Sequence, residues 1–202
     1  MSPNQNKSLT LLELLISISI LGLLVLGFSN LDTFTRYHVA TSDRQAKLQN
    51  DASYVLEHMA KEISKAIGNV QDDKPPITIT AIRGDPAIKV WIDSNGSGQR
   101  DTGDKQIAYR YHITQASAGR CQVWYCPYCR DEQLCESCDP WWSVSNNVLS
   151  KKISGFDAVY DADGNCIDIE ITACWDPLAA SSPDNPCVTL RNCINLPSVS
   201  SN

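Results

Sequence analysis

The sequence predicts an α+β protein in which one long N-terminal helix, half membrane-spanning and half amphipathic, packs on an antiparallel β-sheet head. Three observations carry this expectation. Of the twenty residues from Leu9 to Phe28, only Glu13 is charged. From Leu48 to Ile67 apolar residues recur at the spacing of one helix face. Beyond residue 69 the chain breaks into short runs that alternate apolar and polar side chains between Gly, Pro, Asn and Asp clusters, the pattern of strands and turns.

The first element is the apolar run. At about 1.5 Å of rise per residue it makes roughly 30 Å of helix, the thickness of a bilayer's hydrocarbon core. A carboxylate in that layer costs about 2–4 kcal/mol unless it finds a partner, so Glu13 is read as functional. A secretory signal would end in a small-residue cleavage site, and the following "SNLDTFTRY" offers none. A plain anchor fits the length but leaves Glu13 unexplained, unless its carboxylate snorkels to the interface.

The helix then continues as an amphipathic segment. Leu48, Ala52, Val55, Leu56, Met59, Ile63, Ala66 and Ile67 form the apolar stripe, with Gln49, Asp51, Glu57, Lys61 and Glu62 on the other face. Gly68-Asn69 supplies the stop. From Leu9 to about Ile67 the helix would be roughly 90 Å long, with Gly22 and Gly27 as its soft points.

The stretch "KSLTLLELLISISI" resembles the type IV prepilin signal. The resemblance implies that a prepilin peptidase removes residues 1–8 as a leader, cutting between Ser8 and Leu9, and that the new terminus is N-methylated. Ser8 stands where that family nearly always has Gly. Glu13 then becomes the fifth mature residue, the acidic position of the family. There the freed amine of one subunit is thought to pair with the glutamate of a neighbour, two charges that are expensive alone and attract strongly at low dielectric. The implied location is the inner membrane, single-pass with a periplasmic head, and then a pilus or pseudopilus reaching the cell surface. The implied partners are other pilin or pseudopilin subunits.

Composition agrees with a non-catalytic exported domain. The 202-residue length suits one globular head plus an anchor and stalk. A net charge of −6 without a basic run after the span argues against nucleic acid as a partner. Nine cysteines follow the export-type segment, a usage expected where disulfides persist. His38, His58 and His112 are the only histidines, and the sequence shows neither a Gly-rich phosphate loop nor a nucleophile elbow, so an enzyme is not expected.

The head, residues 69–202, reads as strands at "ITITAIR", "AIKVWID", "QIAYRYHIT" and the shorter "CQVWYC". "ISGFDAVYDADGNCIDIEITACW" reads as a hairpin, and "VTLRNCINL" closes the sheet. The order of these elements resembles minor pilins of PilW type and the J-type pseudopilin of type II secretion. The expected organisation is leader 1–8, span or filament-core helix 9–28, amphipathic helix 29–68 and β-rich head 69–202, with a Cys-rich insertion at 121–138.

Two further motifs carry chemistry. In "DSNGSGQRDTGD", Asp93, Asn95, Ser97, Gln99, Asp101 and Asp104 occupy positions 1, 3, 5, 7, 9 and 12, with Gly98 at position 6. That is the order of a calcium loop. The alternative is a solvated turn built from the residues any turn prefers. In "CPYCRDEQLCESC", Cys126, Cys129, Cys135 and Cys138 form two C-x-x-C pairs, which serve disulfides, a structural zinc or redox chemistry. Cys174 and Cys187 flank the "DPLAASSPDNP" loop and are expected to close it, and an odd cysteine total leaves at least one without an intrachain partner. A membrane-tethered metal-binding module that never polymerises is the remaining reading, and Glu13 argues against it.

Overall fold

The computed structural model describes residues 10–69, 75–82, 84–101, 103–112, 121–129, 148–161, 165–196 and 199–200. The chain divides into two compact units, Met1–Asp43 and Arg44–Asn202.

Helix α1 covers Leu11–Ile63. In the first unit it runs unbroken through Gly22 and Gly27, and every residue from 10 to 40 is exposed. Ser17, Ser19, Ser29, Thr33, Thr35 and Thr41 each donate to the carbonyl four residues earlier, at 2.7–3.1 Å. For Ser17 and Ser19 this satisfies polar groups that sit among apolar neighbours.

In the second unit the stripe of α1 is buried as its spacing predicts, with Leu48, Ala52, Val55, Leu56, Met59 and Ile63 all in the core. The helix stops at Ile63, four residues before the expected end. The following backbone is drawn away: Ala66 bridges Ile92, and the Ile67 N–H donates to the Trp91 carbonyl at 2.9 Å. Ala66 and Ile67 stay buried, now as a connection running along a strand.

Ten strands follow: β1 (Gly68–Asn69), β2 (Ile77–Ile82), β3 (Asp85–Ile92), β4 (Lys105–His112), β5 (Gln122–Cys129), β6 (Val148–Ser150), β7 (Ile153–Asp161), β8 (Cys166–Cys174), β9 (Cys187–Asn195) and β10 (Val199–Ser200). The expected single sheet is two antiparallel meanders, β2-β3-β4-β5-β6 and β7-β8-β9, plus a short parallel β1–β10 pair. The break falls at Lys151–Lys152, where the chain leaves the edge of the first meander and begins the second. Both meanders send isoleucines into the core that α1 enters, Ile88, Ile92 and Ile107 from one and Ile167, Ile169 and Ile171 from the other.

The first C-x-x-C is part of strand β5, not of an insertion. Gln106 pairs with Cys129 and Ala108 with Cys126, so Pro127 and Tyr128 face one residue of β4. Proline cannot donate to a ladder, and a bulge is where a sheet accepts it.

Strands β3 and β4 are buried on both faces. Ile107, Tyr109 and Tyr111 of β4 enter the helix-facing core, while Ala108 joins a second cluster with Ile82, Ala87, Trp124, Cys126 and Cys129. The polar positions of this alternation are buried as well, among them Asp85 and Lys89 of β3 and Gln106 and Arg110 of β4.

Candidate functional site

The start of α1 is organised around Glu13. Thr10 occupies the N-cap, and its side chain accepts the Glu13 N–H at 3.3 Å. In return Glu13 Oε2 accepts the Thr10 N–H at 2.9 Å and its hydroxyl at 3.0 Å. This is a reciprocal capping box, in which two otherwise orphaned backbone donors are satisfied. The sequence signal for it, T-x-x-E ahead of an apolar run, was present and went unread. Ser8 and Leu9, the expected processing residues, lie outside the described residues.

Beyond this cap the helix surface is apolar on all sides. Leu11, Leu12, Ile18, Leu21, Leu23 and Phe28 are each exposed by 60% or more. Such a surface calls for lipid or a protein partner around it. Among the described residues α1 is the one helix long and apolar enough to cross a membrane.

Residues 3–29 match the family described as the prokaryotic N-terminal methylation motif. This chain is type IV pilin-like at its N-terminus. No curated protein and no solved structure matches it. The matched stretch takes in the capping box and the apolar run, Glu13 included.

In the head the calcium-ordered residues form a self-capped loop. Asp93 accepts backbone N–H groups from Gly96, Ser97 and Gly98, at 2.6, 3.2 and 3.0 Å. Asn95 accepts the Ser97 N–H at 2.8 Å and donates to both Asp101 oxygens at 2.9 and 3.0 Å. Ser97 Oγ donates to the Gln99 carbonyl at 2.8 Å. Asp104 accepts the N–H groups of Ser94 and Asp101 at 3.1 and 2.8 Å. The Asn95 amide and the Gly103 N–H hold the Asp101 carboxyl below its ordinary range. Gly96 and Gly98 turn the loop at φ 73° and 72°, a region open to glycine and strained for most other residues. The six residues thus come together in one turn, yet no three acidic, histidine or cysteine groups converge among the described residues.

The cysteines sort into two states. Cys126 and Cys129 are both disulfide-bonded, and a sulfur so bonded holds no thiolate for zinc. They sit on strand β5 rather than at a helix start, so the redox reading loses the feature that would lower a thiol pKa. Cys135 and Cys138 lie outside the described residues. Cys174 and Cys187 are joined, as expected for the pair flanking the loop.

Inside that loop, Asn185 acts as a hub. Its amide donates to the carbonyls of Asp176, Ala179 and Ala180 at 3.0, 3.0 and 3.2 Å, while its carbonyl oxygen accepts the Asp176 N–H at 2.6 Å. Arg44 of α1 donates to the Asp184 carbonyl at 2.6 Å and, with Lys152, lies over the Trp175 ring.

One charged cluster was not foreseen. Arg110 Nε and Nη2 donate to Asp85 Oδ2 at 2.9 and 2.5 Å, and His112 Nδ1 lies 2.6 Å from the same oxygen. Asp85 is 3% exposed and Arg110 7%. Burial pushes the Asp85 carboxyl up, but the hydrogen bonds from His112 and Arg110, with their charges, outweigh it and hold the carboxyl below its ordinary value. In sequence the three residues are separated by 25 and 27 positions, and only the β3–β4 register brings them together. On the helix-facing side, His58 lies 3.0 Å from the Tyr109 hydroxyl and edge-on to Tyr125. Burial lowers the His58 pKa and pushes Tyr125 up to about 12.

Proposed function

We propose that this protein is a minor pilin or pseudopilin, a structural subunit that is cleaved by prepilin peptidase, methylated and assembled into a type IV pilus or a related filament. The supporting observation is the capped Glu13 at the head of the exposed apolar segment of α1 that lies inside the methylation motif. A J-type pseudopilin of type II secretion is the alternative within the same reading, and the genes next to this one distinguish the two. Before assembly the span lies in the inner membrane with the head in the periplasm. On this reading the presence of Glu13 suits a position below the filament tip, where a neighbour's amine can reach it. The protein is read as non-enzymatic.

Processing is tested first. N-terminal sequencing of protein taken from its native membrane is expected to begin at Leu9, carrying a methylated amine. A start at Met1, or at any residue beyond Phe28, overturns the reading.

We also propose calcium as a ligand of the 93–104 loop. Asp93, Asn95, Ser97, Gln99, Asp101 and Asp104 would hold it, and the turn at Gly98 is already formed. The ion must win the carboxylates of Asp101 and Asp104 from their present amide partners. Binding to the native state alone adds about 2.7 kcal/mol at 100-fold excess over Kd. Full-length protein in detergent is therefore expected to melt several degrees higher in saturating calcium and to revert with a chelator. An unchanged Tm identifies the loop as a self-capped turn with no ion.

A further inference from the structure

We infer that Cys166 and Cys193 close a second disulfide across the β8–β9 ladder, at the end opposite Cys174–Cys187. The inference rests on the reading that the head lies in an oxidising compartment. Strand β8 begins at Cys166 and ends at Cys174, and β9 runs back from Cys187 to Asn195. Cys174 pairs with Cys187 at one end. At the other, Cys166 stands opposite Asn195 and Cys193 opposite Asp168. Side chains two apart share a sheet face, so Cys166 and Cys193 are diagonal neighbours on one side.

The Cys193 side chain is near enough to Cys166 to raise its thiol pKa. Diagonal Cα atoms lie about 7–8 Å apart and a disulfide accepts up to about 6.8 Å, so closure takes a shift of about an ångström. Cys166 is the residue that can move, being the first of β8 and next to the turn at Asn165, whose φ is 48°. Access also separates the thiols. Cys193 is exposed and Cys166 partly so, whereas Cys121 is buried. Pairing the first two leaves the buried thiol as the odd one among the described cysteines, which suits a compartment that oxidises exposed thiols.

The step is thiol–disulfide exchange with a disulfide-bearing oxidant, either an oxidoreductase or a small-molecule disulfide. The Cys193 thiolate attacks one oxidant sulfur, giving a mixed disulfide and releasing the first oxidant thiol. The Cys166 thiol then loses its proton and attacks the Cys193 sulfur, which releases the second. Two protein thiols are oxidised and one disulfide is reduced to two thiols. Cys193 is the attacker because it is exposed, whereas Cys166 is only partly so.

The test uses the full chain from its native membrane, trapped with a maleimide under denaturing conditions without reductant. Peptide mapping should find Cys121 labelled, Cys166 and Cys193 unlabelled, and a Cys166–Cys193 peptide pair that reductant separates. Label on Cys166 and Cys193 with Cys174–Cys187 intact overturns the pair alone. Label on all four overturns it together with the oxidising-compartment reading. In the native fold, Cys166→Ser should add one reactive thiol, at Cys193, and Cys193→Ser should add one at Cys166. Labelling of both variants no greater than wild type overturns the proposal.

Discussion

Glu13→Gln is expected to abolish recruitment of this subunit into a filament while leaving insertion and cleavage intact. The amide keeps an oxygen that can accept the Thr10 N–H, so the capping box at the head of α1 survives. What disappears is the charge. A neighbour's ammonium would then lie in an apolar layer without its counter-charge, which strongly disfavours docking. Membrane fractionation should give normal levels and N-terminal sequencing the normal start. Crosslinking to the other subunits should fall to background. Crosslinked yields equal to wild type would make the glutamate a passenger in its own motif.

Asp85→Ala is expected to destabilise the head by about 3–5 kcal/mol, because it strips a buried guanidinium of its carboxylate. The same change acts on pH dependence, and its sign follows from the depressed Asp85 pKa. A carboxyl held lower when folded than when unfolded contributes stability above its unfolded pKa and loses it as pH falls through the folded one. The ordinary value is 3.8, so the wild-type head should weaken below about pH 4. The variant should show a shallower acid limb on a lower plateau. Denaturant melts at pH 7 and pH 3 check both, and an unchanged midpoint at pH 7 would show the cluster to be energetically idle.

How much of this could be read in advance depended on whether the signal was local. The stripe of α1 and the strands from β2 to β9 other than β6 each announce themselves within a dozen residues, and the structure places them where the periodicity does. The capping box is equally local, in Thr10 and Glu13. The helix end was misplaced because the backbone bonds of Ala66 and Ile67 go to a strand some 25 residues downstream. The division into two meanders escaped notice because alternation along a strand does not identify its neighbours. The burial of the far face of β3 and β4 is not legible in the sequence for a related reason. Arg110 and Lys89 look like solvent-facing residues until a partner such as Asp85 is brought beside them, and that pairing is a product of register.

The loop between Cys174 and Cys187 has a consequence for how this head can vary between relatives. Its shape is set by one amide grasping three main-chain carbonyls, contacts that every amino acid supplies alike. Leu178, Ala179, Ala180 and Ser181 can therefore be exchanged with little change of frame, whereas Asn185 and the two cysteines cannot. Descendants of this chain would keep a sparse three-residue signature around a segment whose spelling drifts freely. That segment is thus suited to accepting sequence change, and a short epitope tag, without disturbing the sheet behind it.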